Sequence, residues 1–154
     1  MSQNSSDPTT FQPPAVGMTG SNEVFFVFDD LPDWQTLVAG VPEGAEVVVL
    51  DGGQDGLAQM ASRLQGRSDV DAIHVLSHGD VGRVQLGTTW LDGVNVPEQS
   101  ELLAAVGRSL AVHGDILLYG CRIGAGSAGA EFLHLMANAT GADVAASNDL
   151  TGSA

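Results

Sequence analysis

Two residues in this chain have the right types and surroundings for covalent chemistry. Cys121, the only cysteine among 154 residues, follows the apolar run "ILLYG" and precedes a stretch of small residues, "GAGSAGA". His78 follows a second apolar run, "AIHVLS", and Gly79 comes directly after it. A thiol at the carboxyl end of a parallel strand, with a helix starting soon afterwards, meets backbone N–H groups and a helix N-terminus, and both favour the thiolate. A histidine at an adjacent strand end would supply the base. The N–H groups of Gly79 and Cys121 would then form an oxyanion hole. Taken singly, Cys121 also reads as a buried small hydrophobe and His78 as a loop histidine. Their joint placement favours function.

The same loop supports a second reading. Gly124, Gly126 and Gly129 spell G-x-G-x-x-G, and Asp149 lies about twenty residues further on, where a ribose-binding acid belongs in a dinucleotide site. Against it, Cys121, Arg122 and Ile123 separate the first of these glycines from the strand, and little chain remains after Asp149 to complete a nucleotide-binding half. The small residues then serve close packing of the helix start.

These residues need a scaffold, and the apolar pattern supplies one. Strands are expected at "EVFFVF", "AEVVVL", "DAIHVLS", "DILLYG" and "ADVAAS", alternating with helices at "DWQTLVAGV", "GLAQMASRLQG", "PEQSELLAAVGRSLAVHG" and "GSAGAEFLHLMANATG". In the third helix Pro97 falls in the first turn and Gly114 beyond the end. "RVQLGTTWLDG" breaks the rhythm and reads as a hairpin around Gly87. Strands apolar throughout and separated by helices imply an α/β fold, a mainly parallel sheet covered on both faces. Ligands of such sheets gather beyond the carboxyl ends of the strands.

The other histidines read differently. His74, inside the third strand, and His134, mid-helix, are expected to pack, and His113 to lie near a helix end, where a cation is favoured. No pair has zinc spacing. "DGGQDG" at Asp51 resembles the start of a calcium loop, but Ser62 stands where a bidentate Glu is required. No metal and no cofactor is expected.

Composition bounds the partners. One domain is expected, with 44% hydrophobic residues. Nineteen acids face five arginines and no lysine, for a net charge of −14. That excludes nucleic acid and anionic membranes, which need clustered cations. Residues 1–21, rich in Ser, Thr, Pro, Gln and Asn, are expected to form a disordered arm ahead of a domain over residues 22–154. The N-terminus lacks the basic and apolar regions of a Sec signal peptide, and no apolar run reaches membrane-spanning length.

"IHVLSHGD", "RVQLGTTWLDG" and "ILLYGC" together resemble the caspase-like (clan CD) cysteine peptidases, which carry a His-Gly after the third strand, a small hairpin, and a catalytic Cys after the fourth. The resemblance implies a caspase-like three-layer sandwich with Cys121 as nucleophile, His78 as base and then acid, and Gly79 N–H as oxyanion donor. Through "LPDWQTLVAGVPEGAEVVVLD", "SHG", "GDILLYGC" and "TGADVAASNDLTG", residues 23–152 resemble, more closely, an uncharacterised bacterial domain family found near the N-terminus of giant secreted repeat proteins and adhesins. That likeness implies an extracellular or cell-surface parent protein. The peptidase fold usually has a sixth strand, so the chain is expected to be truncated or cleaved at its C-terminus.

The leading expectation is therefore a cysteine endopeptidase acting on a peptide or protein, including its own parent polypeptide. Asp29, Asp30 and Asp149 fall near the expected carboxyl edge and would favour a basic residue before the scissile bond, although solvated loop acids explain them equally well. Two alternatives stand beside it: a catalytically inactive interaction module of a giant adhesin, and a small nucleotide-binding domain.

Overall fold

The computed structural model describes residues 22–147. The arm expected over residues 1–21 and the acid Asp149 lie outside the described residues. Among these, no helix is long and apolar enough to cross a membrane.

Five strands form one parallel sheet: β1 (Glu23–Phe28), β2 (Glu46–Leu50), β3 (Val70–Leu76), β7 (Leu110–Tyr119) and β8 (Asp143–Ser147), in the order β2-β1-β3-β7-β8. The register sets Phe26 beside Val75, and Val75 beside Leu118. The third and fourth strands read from the sequence are thus direct neighbours, as the expected dyad would require. After β3 the chain forms a separate antiparallel sheet of β4 (His78–Asp80), β5 (Arg83–Leu86) and β6 (Thr89–Asp92). The expected hairpin is β5–β6, turning at Gly87, and His78 begins the strand that joins it.

Alternation along the strands builds two cores. Val24, Phe26 and Phe28 of β1, with Ile73, Val75, Ile116 and Leu118, face one layer of helices: α2 (Gly56–Leu64), α3 (Ser100–Arg108) and α4 (Gly126–Thr140). Phe25, Val27 and Leu76 face the short helix α1 (Trp34–Ala39) through Trp34, Leu37 and Val38. In α2 the apolar spacing holds as expected, with Leu57, Met60 and Leu64 buried, and Asp55 caps the helix through Ala58 N at 3.1 Å. Helix α4 ends at Gly141 in the left-handed conformation, φ 77°.

The third helix ends earlier than its spacing predicts. A 3₁₀ turn over Val96–Gln99 holds Pro97, α3 stops at Arg108, and Leu110 already belongs to β7. Ser109 ends it: its Oγ donates to Val106 O at 2.6 Å, while its carbonyl accepts from Val70 N at 3.0 Å and so opens the pairing with β3. Val70 faces Leu110 and Ala72 faces Asp115, so residues 111–114 are thrown out as a bulge. His113 sits exposed in that bulge rather than near a helix end, and Val112 beside it is 93% exposed.

Candidate active site

The strand order places the β1–α1 connection on one side of β1 and the β3–α3 connection on the other. This is a topological switch point, and the crevice outside the carboxyl ends of such strands is where parallel sheets bind ligands. A cleft of about 340 Å³ opens there. Leu31, Pro32, Asp33 and Leu37 form one wall, Leu76 to Gly79 another, and Tyr119, Gly120 and Cys121 the third. His78, Gly79 and Cys121 thus share one cavity. Ser77 N donates to Tyr119 O at 3.1 Å, which locks the two chemical strand ends side by side, and Gly120 N donates to Ser147 O at 3.2 Å, which ties the cysteine end to β8.

Cys121 is a free, exposed thiol, so it is not a buried small hydrophobe. Its loop is anchored just beyond it. Ile123, 1% exposed, packs under the site, and its carbonyl accepts from Gly82 N at 2.9 Å. A Cβ on Gly79 would stand 2.4 Å from Ile123 Cγ1. One on Gly120 would stand 2.9 Å from Ile123 Cδ1, 3.0 Å from Ser77 O and 3.2 Å from Gly79 N. The glycines beside both chemical residues therefore let the histidine and cysteine segments close on each other. Arg122 takes φ 61°, a left-handed conformation uncommon for a residue with a side chain, and this turns the chain directly after Cys121.

The half-buried His78 ring touches one polar group that fixes its role: Nε2 lies 3.4 Å from the backbone carbonyl of Asp30. A carbonyl only accepts, so this contact calls for the proton on Nε2 and leaves the lone pair on Nδ1. The contact is long, as catalytic hydrogen bonds commonly are before substrate binds. Asp30 thus contributes its main chain to His78. The Asp29 carboxylate accepts from Gly52 N at 2.8 Å and ties the end of β1 to the turn after β2. Neither of these acids lines the cleft; Asp33 does.

Sequence reasoning also missed a polar cluster behind the cleft. His74, 8% exposed, stacks on Phe25 with ring centroids 4.0 Å apart. Its Nδ1 meets Tyr119 Oη at 2.8 Å and its Nε2 meets Glu23 Oε1 at 2.7 Å. His74 packs, as expected, but it also holds the tyrosine that forms one wall of the cleft. His134, expected to pack, is exposed instead, with Nε2 3.3 Å from Asn138 Nδ2. Burial, and secondarily the Glu23 carboxylate, push the Tyr119 hydroxyl above its ordinary 10.0. A raised folded value means that the contribution of neutral Tyr119 is complete below pH 10.0 and is lost as pH rises through the raised value. Tyr119→Phe is therefore expected to flatten the fall in stability above pH 10.0, measured by urea denaturation across the alkaline range.

The glycine-rich stretch is explained by contact. A Cβ on Gly129 would fall 2.2 Å from the Gly124 carbonyl carbon, so the start of α4 folds onto its own entry loop only because residue 129 has no side chain.

Residues 24–154 match the family described as Domain of unknown function (DUF4347). The chain belongs to that family. No curated protein and no solved structure matches it. The DUF4347 match spans all five strands of the main sheet and every wall of the cleft.

Proposed function

We propose that this domain is a caspase-like cysteine endopeptidase with Cys121 as nucleophile and His78 as its base. The observation that carries the reading is the single cleft shared by an exposed thiol, a histidine ring held by the Asp30 carbonyl, and Gly79. His78 Nδ1 takes the Cys121 proton, and the thiolate attacks the scissile carbonyl carbon. Negative charge then collects on the carbonyl oxygen, where the N–H groups of Gly79 and Cys121 would stabilise it. As the C–N bond breaks, the imidazolium returns its proton to the leaving amine, and water hydrolyses the acyl-enzyme to free the thiol. The substrate would be a polypeptide, including the larger secreted or surface protein from which the domain comes.

The test is a digest. Wild type and Cys121→Ala are incubated with a denatured protein mixture, and the new amino termini are identified by mass spectrometry. Termini that arise only with Cys121 intact support the reading, and indistinguishable profiles overturn it in favour of a binding module.

A further inference from the structure

The lining of the cleft says what kind of side chain it accepts, an inference that rests on the peptidase reading. A carbonyl placed at Cys121 would bring the side chain on its N-terminal side to the cleft that Cys121 lines. Most of that cavity is apolar: Leu76 is buried, Leu31 and Leu37 are half-buried, and Tyr119 lies opposite. It holds one further feature suited to a polar tip.

That feature is Asp33. It precedes α1 at the capping position, yet its side chain makes no capping hydrogen bond, unlike Asp55 at the start of α2. Other acids around the site are engaged: Asp29 holds Gly52 N, and Asp80 holds Val81 N and lies 3.7 Å from Arg83. Asp33 is exposed at the rim and is the only carboxylate lining the cleft.

No arginine lines the cleft, and the chain carries −14 overall. An acidic side chain would meet Asp33 with no compensating cation, whereas a long aliphatic stem ending in a cation would cover the leucines and place its charge in a negative field. We infer that the cleft selects arginine or lysine immediately before the scissile bond, with Asp33 as the partner of the cation.

The probes are three peptidyl acyloxymethyl ketones identical except for the terminal residue: arginine, norleucine or aspartate. The rate of mass gain at Cys121 is measured for wild type and Asp33→Asn, with iodoacetamide as a small reagent that ignores the cleft. The arginine probe is expected to react about two- to fivefold faster than norleucine, the scale of one exposed ion pair, with aspartate slowest. Asp33→Asn is expected to lower the arginine-to-norleucine ratio by about the same factor, and added salt to lower it in wild type. A norleucine probe as fast as arginine, or a ratio untouched by Asp33→Asn, overturns the inference while leaving the peptidase reading intact. If no ketone labels Cys121 although iodoacetamide does, the peptidase reading fails and the inference with it.

Discussion

His78→Ala is expected to slow alkylation of Cys121 by about threefold at pH 7, since the gain in thiolate is partly offset by the weaker nucleophilicity of a stabilised anion. An isolated thiol ionises near 8.5 and is only roughly 3% thiolate at neutrality. A thiol whose proton is accepted by a neighbouring imidazole reacts as thiolate at lower pH, because the imidazolium left behind stabilises the anion. The contact with the Asp30 carbonyl sharpens the expectation, since it assigns the proton to Nε2 and the lone pair to Nδ1. The measurement is the iodoacetamide rate from pH 5 to pH 10 for wild type and His78→Ala, with far-ultraviolet circular dichroism checking that both are folded. Superimposable profiles would mean that His78 does not serve Cys121. The endopeptidase would then give way to an interaction module on the same scaffold.

The shared cleft of His78 and Cys121 was legible because each stands at the end of a continuous apolar run. "AIHVLS" and "ILLYG" can only be interior strands, and a helix between parallel strands returns each carboxyl end to the same edge. The sequence carries no comparable mark for the cleft wall opposite. Asp33 looks like one acid among nineteen, and it matters only because the β1–α1 connection crosses the switch point. Asp29 and Asp30, nearer the strand end, are drawn into structural contacts instead.

Helix α3 shows the opposite failure, a strong local signal overridden by the sheet. Leu103, Val106 and Leu110 keep helical spacing, and nothing in composition separates them. Yet Val70 N takes the Ser109 carbonyl, and β3 then recruits the following residues as its neighbour. Hydrogen bonds offered by a waiting strand outweigh a helix propensity of a few tenths of a kcal/mol per residue. The His74 cluster was hidden for a similar reason. Its partners Glu23 and Tyr119 lie 51 and 45 residues away, so only the parallel register brings them together.

That competition between local preference and tertiary contact gives the largest stability effect expected here. Gly107 lies near the end of α3, where alanine would ordinarily stabilise a helix by about 1 kcal/mol. A Cβ at that position, however, would stand 1.8 Å from Thr140 O and 2.7 Å from Thr140 C, backbone atoms of the last turn of α4. Backbone cannot swing aside as a flexible side chain can, so α3 and α4 must move apart. Overpacking of this kind costs about 3 kcal/mol, and the net loss for Gly107→Ala is then about 2 kcal/mol. In a domain of this size it should appear as a fall in melting temperature of roughly 5–10 °C. Gly66→Ala is the comparison: its φ of 82° disfavours a side chain, but nothing lies within 4 Å of the added methyl. Its loss should be about 1 kcal/mol, from the strained backbone alone. Were Gly107→Ala to melt at or above wild type, helix propensity would have prevailed, and the close crossing of α3 on the end of α4 would not be what requires glycine there.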